Sequence, residues 1–298
     1  MKIKIQLHKE NEACAGAHRK GTKAEAAVWV TDEADFANRQ AAEGKCVLFL
    51  LHEKNRGQRL EGVRYCLELP AGSLEIWHEH VSEDYLEKIW QRHAGLPWHI
   101  LDTSRLSLRE MTLEDAESLV SMYADEEMEK FMDPLERDRE TLLEMMEAYI
   151  RTMYGFYEFG MWMVTLRSED AAEKAEKTAA ERENAGNDAE TVIGRAGLQL
   201  RDGEEYPELG FCIAAPWRRK GYAEEICRAV LTYAFEELEF LKVRVVVHRD
   251  NAGSLALCKK LGFDVENQRL SADGLWITME MAAWNAQDNA EGRLECVG

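Results

Sequence analysis

The chain has 298 residues, 46% hydrophobic and 31% charged. That is enough apolar side chain for a full core and enough length for two domains of about 100–200 residues. Disorder as the main state is excluded, and 5 prolines exclude a Pro-rich or collagen-like chain. The net charge of −19 repels nucleic acid and anionic membranes and attracts cations, so an amine or basic peptide is the expected partner and no nucleic acid is.

The first stretch, Lys2-Ile-Lys-Ile-Gln-Leu7, alternates like an amphipathic strand and lacks the apolar centre of a signal peptide. The longest apolar run, Cys46–Leu51, is far short of the ~20 residues a membrane-spanning helix needs. Seven cysteines (14, 46, 66, 212, 227, 258 and 296) include no Cys-x-x-Cys pair, so reduced thiols and a cytoplasmic protein are the expectation. Residues 1–101 alternate strand-like segments (Ile3–Leu7, Val28–Val30, Val47–Leu51, Val63–Leu69) with helix-like ones (Glu33–Glu43, Ser82–His93) and read as a small accessory α/β domain. Ser82 and its trailing acids mark a helix start, and Gly44 and Gly95 mark helix ends. Gly16–Lys23 has the order Gly-Thr-Lys where a phosphate loop needs Gly-Lys-Ser/Thr, and reads as a basic loop. His78-Glu79-His80 would set two imidazoles on one strand face with no third ligand, so no metal is expected.

Residues 99–103 read as a connection into a second domain, 104–283. It opens with a strand at Arg105–Met111, a capping box at Thr112–Asp115, and helices through Tyr123 and over Arg139–Tyr154. A strand follows at Met161–Leu166. Tyr154, Phe156, Tyr157, Phe159 and Trp162 would line either an acceptor pocket or the core. The insert 168–190 carries a net charge of −5 and no large apolar side chain, so it reads as a solvated, flexible segment. Strands at Thr191–Leu200, Glu208–Ile213, Val243–His248 and Leu275–Met281 surround helices at Tyr222–Leu238 and Ser254–Leu261. Residues 284–298 form a polar tail.

The informative stretch is 206–263. A strand ends near Ile213, Pro216 stops it from extending, and Arg218-Arg219-Lys220-Gly221-Tyr222-Ala223 leads straight into an amphipathic helix. A basic, glycine-bearing turn on a helix N-terminus is suited to an anion, because free N–H groups and the helix dipole both favour negative charge. Arg218-x-x-Gly221-x-Ala223 resembles the pyrophosphate-binding signature of the GNAT superfamily of acetyltransferases. Asn251-Ala-Gly-Ser254 followed by Lys260-Leu-Gly-Phe263 is similar to its second signature. The resemblance covers about 105–283, and Glu208-Leu-Gly-Phe is most similar to the branch of ribosomal-protein N-terminal acetyltransferases. Val28–Leu51 resembles part of a Rossmann-like phosphatase of the haloacid dehalogenase type, without the Asp-x-Asp motif that its chemistry needs.

The resemblance implies an α/β (mixed α+β) GNAT fold with a central, mostly antiparallel mixed sheet, beside a small Rossmann-like N-terminal domain. It implies acetyl-CoA as co-substrate and direct acetyl transfer to a primary amine of a small molecule or peptide. Residues 218–223 would cradle the pyrophosphate, the backbone of Phe211, Cys212 and Ile213 would hold the pantetheine arm and thioester, and Asn251 would contact the arm. Glu208 would be the general base. Cys258 stands where many members carry a Tyr that protonates the departing thiolate, and leaves a weak acid, a water or simple packing as readings. A non-catalytic acyl-CoA sensor is the competing reading, and a homodimer is one assembly open to the chain.

Overall fold

Four parallel strands begin the chain: β1 (Lys4–Leu7), β2 (Ala27–Thr31), β3 (Cys46–Leu51) and β4 (Tyr65–Glu68), in the order β1-β2-β3-β4. The computed structural model describes residues 4–7, 27–71, 73–125, 128, 130–167, 190–201, 203–271 and 274–283. The basic loop 16–23, the acidic stretch 168–189 and the tail 284–298 lie outside the described residues. Two units divide the chain, Met1–Trp98 and His99–Gly298.

In the first unit β3 is buried almost throughout, as a strand covered on both faces must be. Helix α1 (Ala34–Ala42) packs Ala34 and Ala37 on Val47 and Phe49. Helix α2 (Glu83–His93) packs Leu86 and Ile89 on Val28, Val30 and Leu48. Ser82 caps α2, its Oγ accepting from the Tyr85 N–H at 3.1 Å. His78 and Glu79 fall in a 3-10 turn, Leu74–Glu79, so the expected strand at this point is absent.

The junction of β2 with α1 is sealed. Glu33 N–H donates to Thr31 Oγ1 and Ala34 N–H to Gln58 Oε1, both at 3.1 Å. Buried Asn55 donates to the Asp32 and Leu50 carbonyls (3.0 and 2.8 Å) and accepts from the His52 N–H (2.8 Å). The Asp32 carboxylate holds His52 Nε2 at 3.2 Å. The strand order never reverses, so the described sheet offers no switch-point crevice of the kind in which open α/β sheets bind ligands.

The second unit starts at His99, five residues before the expected start at 104. His99–Asp102 is a strand, β5, because it bonds antiparallel to β6 (Leu106–Arg109). With β7 (Met161–Leu166), β8 (Val192–Gln199), β9 (Glu208–Ile213), β10 (Lys242–His248), β11 (Asp264–Ser271) and β12 (Gly274–Ala282) it forms an eight-stranded sheet. The order is β11-β12-β10-β9-β8-β7-β6-β5, and every pairing is antiparallel except β9 with β10. This is the mixed, mostly antiparallel sheet expected.

The capping box at Thr112–Asp115 is present and leads into α3 (Ala116–Tyr123). The same Asp115 takes the fork of Arg109 at 2.8 and 2.9 Å, fixing the helix to the end of β6. Helix α4 (Arg139–Tyr149) widens into a π-helical turn over Ile150–Tyr157, which Glu158 ends at φ 64°. The wide turn lets two tyrosines meet one residue. Tyr149 Oη accepts from the Met161 N–H (2.6 Å), and Tyr154 O–H donates to the Met161 carbonyl (2.5 Å). Tyr154, Phe159 and Trp162 are buried in the core, while Phe156 and Tyr157 are exposed. Helix α5 (Tyr222–Glu236) buries Ile226, Cys227, Val230, Leu231 and Ala234 at helical period, and α6 (Ala252–Leu261) follows β10. Among the described residues no helix is long and apolar enough to cross a membrane.

Candidate active site

The seam between β9 and β10 controls the site. These strands pair at one position only, Arg244 with Glu208, whereas β9 pairs with β8 along its whole length. Beyond that rung the two strands part toward their C-terminal ends and leave a wedge. Main-chain groups of a strand point alternately to either side. The Pro207 carbonyl accepts from the Arg244 N–H (3.0 Å), and the Ala214 N–H donates to the Ile193 carbonyl beside β8 (2.9 Å). The main-chain groups of Leu209, Phe211 and Ile213 therefore face the wedge, and those of Cys212 face β8. Of the three residues expected to hold the arm, Cys212 is withdrawn by this register, and its side chain is buried. The Ile213 carbonyl is already engaged by Arg218 Nε at 2.9 Å.

At the mouth of the wedge the turn 218–221 enters α5. Gly221 has φ 82°, a left-handed conformation natural to glycine, and no side chain caps the N–H groups of the first turn. Arg219 also has a positive φ (63°) and is exposed, and Lys220 Nζ lies 4.7 Å from the Trp217 ring centroid. Tyr222 is buried, so it brings an N–H and not its phenol to the turn, and Ala223 packs against the core. Arg218 turns inward. Besides Ile213 it pairs with Asp125 beyond α3, so its guanidinium braces the turn. Free N–H groups, a left-handed glycine and flanking cations fit a pyrophosphate. Across the mouth, Asn251 caps α6 by accepting from the Ser254 N–H at 3.1 Å.

Glu208 stands at the apex, half-buried on the only rung shared by the two strands. Burial pushes its carboxyl above the ordinary range, while Arg201 (3.5 Å) and Arg244 pull it part of the way back. Arg201 also reaches Asp133 at 3.7 Å. The apex is thus of mixed charge, and not the plainly acidic surface that the net charge suggests. A basic carboxylate at a strand divergence suits proton abstraction from an ammonium.

Cys258 is fully buried in the core, and burial pushes its thiol up to about 12. Its side chain packs within the core, away from solvent. A cleft of about 590 Å³ opens between α3 and residues 214–217, lined in part by Glu117, Ser121, Asp125 and Trp217. Ala214, which borders it, lies just past the end of β9, six residues from Glu208, roughly 20 Å at about 3.3 Å per residue, so this border of the cleft is at the opposite end of β9 from that carboxylate. Sequence reading missed Arg201, seven residues before Glu208, Arg105, which reaches the Lys220 carbonyl from far earlier in the chain, and His248. His248 ends β10, buried between Phe131 and Trp276 at 5.5 and 5.1 Å.

Comparison with known proteins turns this frame into a class, the N-acetyltransferases. YoaA of Bacillus subtilis, named as an uncharacterized N-acetyltransferase, is 28% identical over 170 residues, covering 56% of this chain and 84% of its own. YdaF of the same organism, named as a ribosomal N-acetyltransferase, is 37% identical over 70 residues, 24% of this chain and 37% of its own. A solved GNAT-family acetyltransferase from Bordetella pertussis covers 61% of this chain and 98% of its own at 18% identity, with a TM-score of 0.46. The family model described as an acetyltransferase (GNAT) domain matches residues 105–264, more than half of the chain. The chain belongs to the GNAT acetyltransferase family and is an acetyltransferase.

Proposed function

We propose that the protein transfers an acetyl group from acetyl-CoA directly to a primary amine, with Glu208 as general base. One observation carries this reading: β9 and β10 share a single rung at Glu208 and part toward an uncapped helix N-terminus at Gly221. Acetyl-CoA supplies the activated thioester. The N–H groups of residues 221–223 hold the pyrophosphate, and Arg218, Arg219 and Lys220 add positive charge around it. The exposed edge of β9 takes the arm, with the Phe211 N–H available to a developing oxyanion. Glu208 removes the ammonium proton directly or through one water. With Cys258 buried, water protonates the departing thiolate. The N-terminal unit is an accessory domain in this reading.

A peptide N-terminus or a small amine is the acceptor class. The test is CoA release from acetyl-CoA across a panel of peptide and small amines, with wild type and Glu208→Gln. Amine-dependent release that the variant loses is the expected result. Release at equal rates from both proteins would remove Glu208 from the mechanism, and no acetyl-CoA binding would remove the cradle.

A further inference from the structure

We propose that Arg105 is a positioning residue of the pyrophosphate cradle, which it braces while shielding the bound anion from the charge of Glu225. The inference rests on the reading of residues 218–223 above. The first turn of α5 contains two acids, Glu224 and Glu225. A carboxylate near a helix N-terminus competes with a phosphate for the same field of N–H dipoles. Both acids are drawn away. Glu224 pairs with Lys260 (2.6 Å) and Arg228 (3.1 Å).

Glu225 is held by the turn between β5 and β6, about 120 residues earlier in the chain. Its Oε1 accepts from Thr103 Oγ1 (2.6 Å), Ser104 Oγ (2.9 Å) and the Arg105 N–H (2.9 Å). Its Oε2 accepts from Arg105 Nε (2.7 Å) and Nη2 (2.6 Å). The side chain is 16% exposed. Burial alone would raise its pKa, yet these donors together hold it below the usual carboxylate range, so the charge is both present and matched.

The same guanidinium reaches both neighbours of Gly221. Arg105 Nη1 donates to the Lys220 carbonyl at 3.0 Å, and the guanidinium lies 4.5 Å from the Tyr222 ring centroid. A Cβ added at Gly221 would meet Arg105 Nη2 at 3.3 Å. In a trans peptide the C=O and the following N–H point in opposite directions. Drawing the Lys220 carbonyl toward Arg105 therefore turns the Gly221 N–H away from it, free for a ligand. Lysine lacks the planar fork that reaches Glu225 and the Lys220 carbonyl together.

The test is binding of CoA and of pantetheine, which shares the arm but lacks the pyrophosphate, by calorimetry. Arg105→Gln is expected to weaken CoA about tenfold and pantetheine less than twofold. Arg105→Gln/Glu225→Gln, which removes the exposed acid as well, is expected to recover CoA binding to within about threefold of wild type. If Arg105→Gln does not fold, Arg105→Lys is expected to weaken CoA about threefold in a folded protein. Equal loss of both probes, unchanged CoA affinity, or no recovery in the double variant would overturn the proposal. Absence of CoA binding by wild type would overturn the cradle itself, a distinct failure.

Discussion

Two junctions in this chain use the same local grammar with opposite results. At β2–α1 and at β9–α5 a strand ends, the chain turns, and a helix begins with acids nearby. At β2–α1, side chains of Thr31 and Gln58 take up the Glu33 and Ala34 N–H groups at the helix start, and buried Asn55 ties the turn to β3. At β9–α5 the N–H groups are left uncapped, the nearby acids are matched elsewhere, and the strands part. A helix N-terminus becomes an anion site only when the surrounding chain declines to fill it. The difference lies in residues remote in sequence, not in the turn.

The largest break in that comparison is expected at the apex. Glu208→Gln should lower kcat about a thousandfold, within the roughly 10²–10⁴ attributed to general bases, with CoA affinity unchanged. In wild type the rate should rise with pH through the raised pKa of Glu208, because only the carboxylate accepts a proton. Arg201→Gln removes a cation and should move that limb to higher pH. Next is Gly221→Glu, which places bulk and charge at a left-handed position beside Arg105. A hundredfold loss of CoA affinity, about 2.8 kcal/mol at 1.4 per tenfold, is expected in a folded protein.

On the sealed side, Asn55→Ala leaves buried carbonyls and an N–H unpartnered and should cost about 2 kcal/mol. Faster hydrogen exchange in β2 and β3 would register it, with no change in CoA binding. Gln58→Ala uncovers only the Ala34 N–H and should cost about 1 kcal/mol or less by the same measure. The smallest catalytic effect belongs to Cys258→Ala. It should leave kcat within twofold and show itself only in thermal stability; a large fall in kcat would return the thiol to the chemistry.

The β9–α5 segment was legible because its determinants are local. Pro216, the basic turn, Gly221 and the apolar stripe of α5 follow one another within a few residues. The capping box at Thr112–Asp115 was legible for the same reason. β5 and β11 were not. β11 is exposed along nearly its whole length, so no alternation betrays it, and it is a strand only because β12 bonds to it. The π-helical turn at Ile150–Tyr157 answers to the Met161 main chain on the next strand, and nothing in its own spacing requires it. In the site, Gly221 and Glu208 were visible as residue types. The register that withdraws Cys212 was not, and for Cys258 the sequence left packing as one of three readings, because each depends on which neighbour a strand or helix packs against.

The single rung between β9 and β10 has a mechanical consequence. The eight strands are laddered as two leaves, of three and five strands, joined by the one rung at Arg244 and Glu208 and bridged by α5. Any extended molecule that hydrogen-bonds along the open edge of β9 supplies part of the missing ladder. Occupancy of the wedge should therefore stiffen that joint, and the amides of β10 should become slower to exchange even where no ligand touches them.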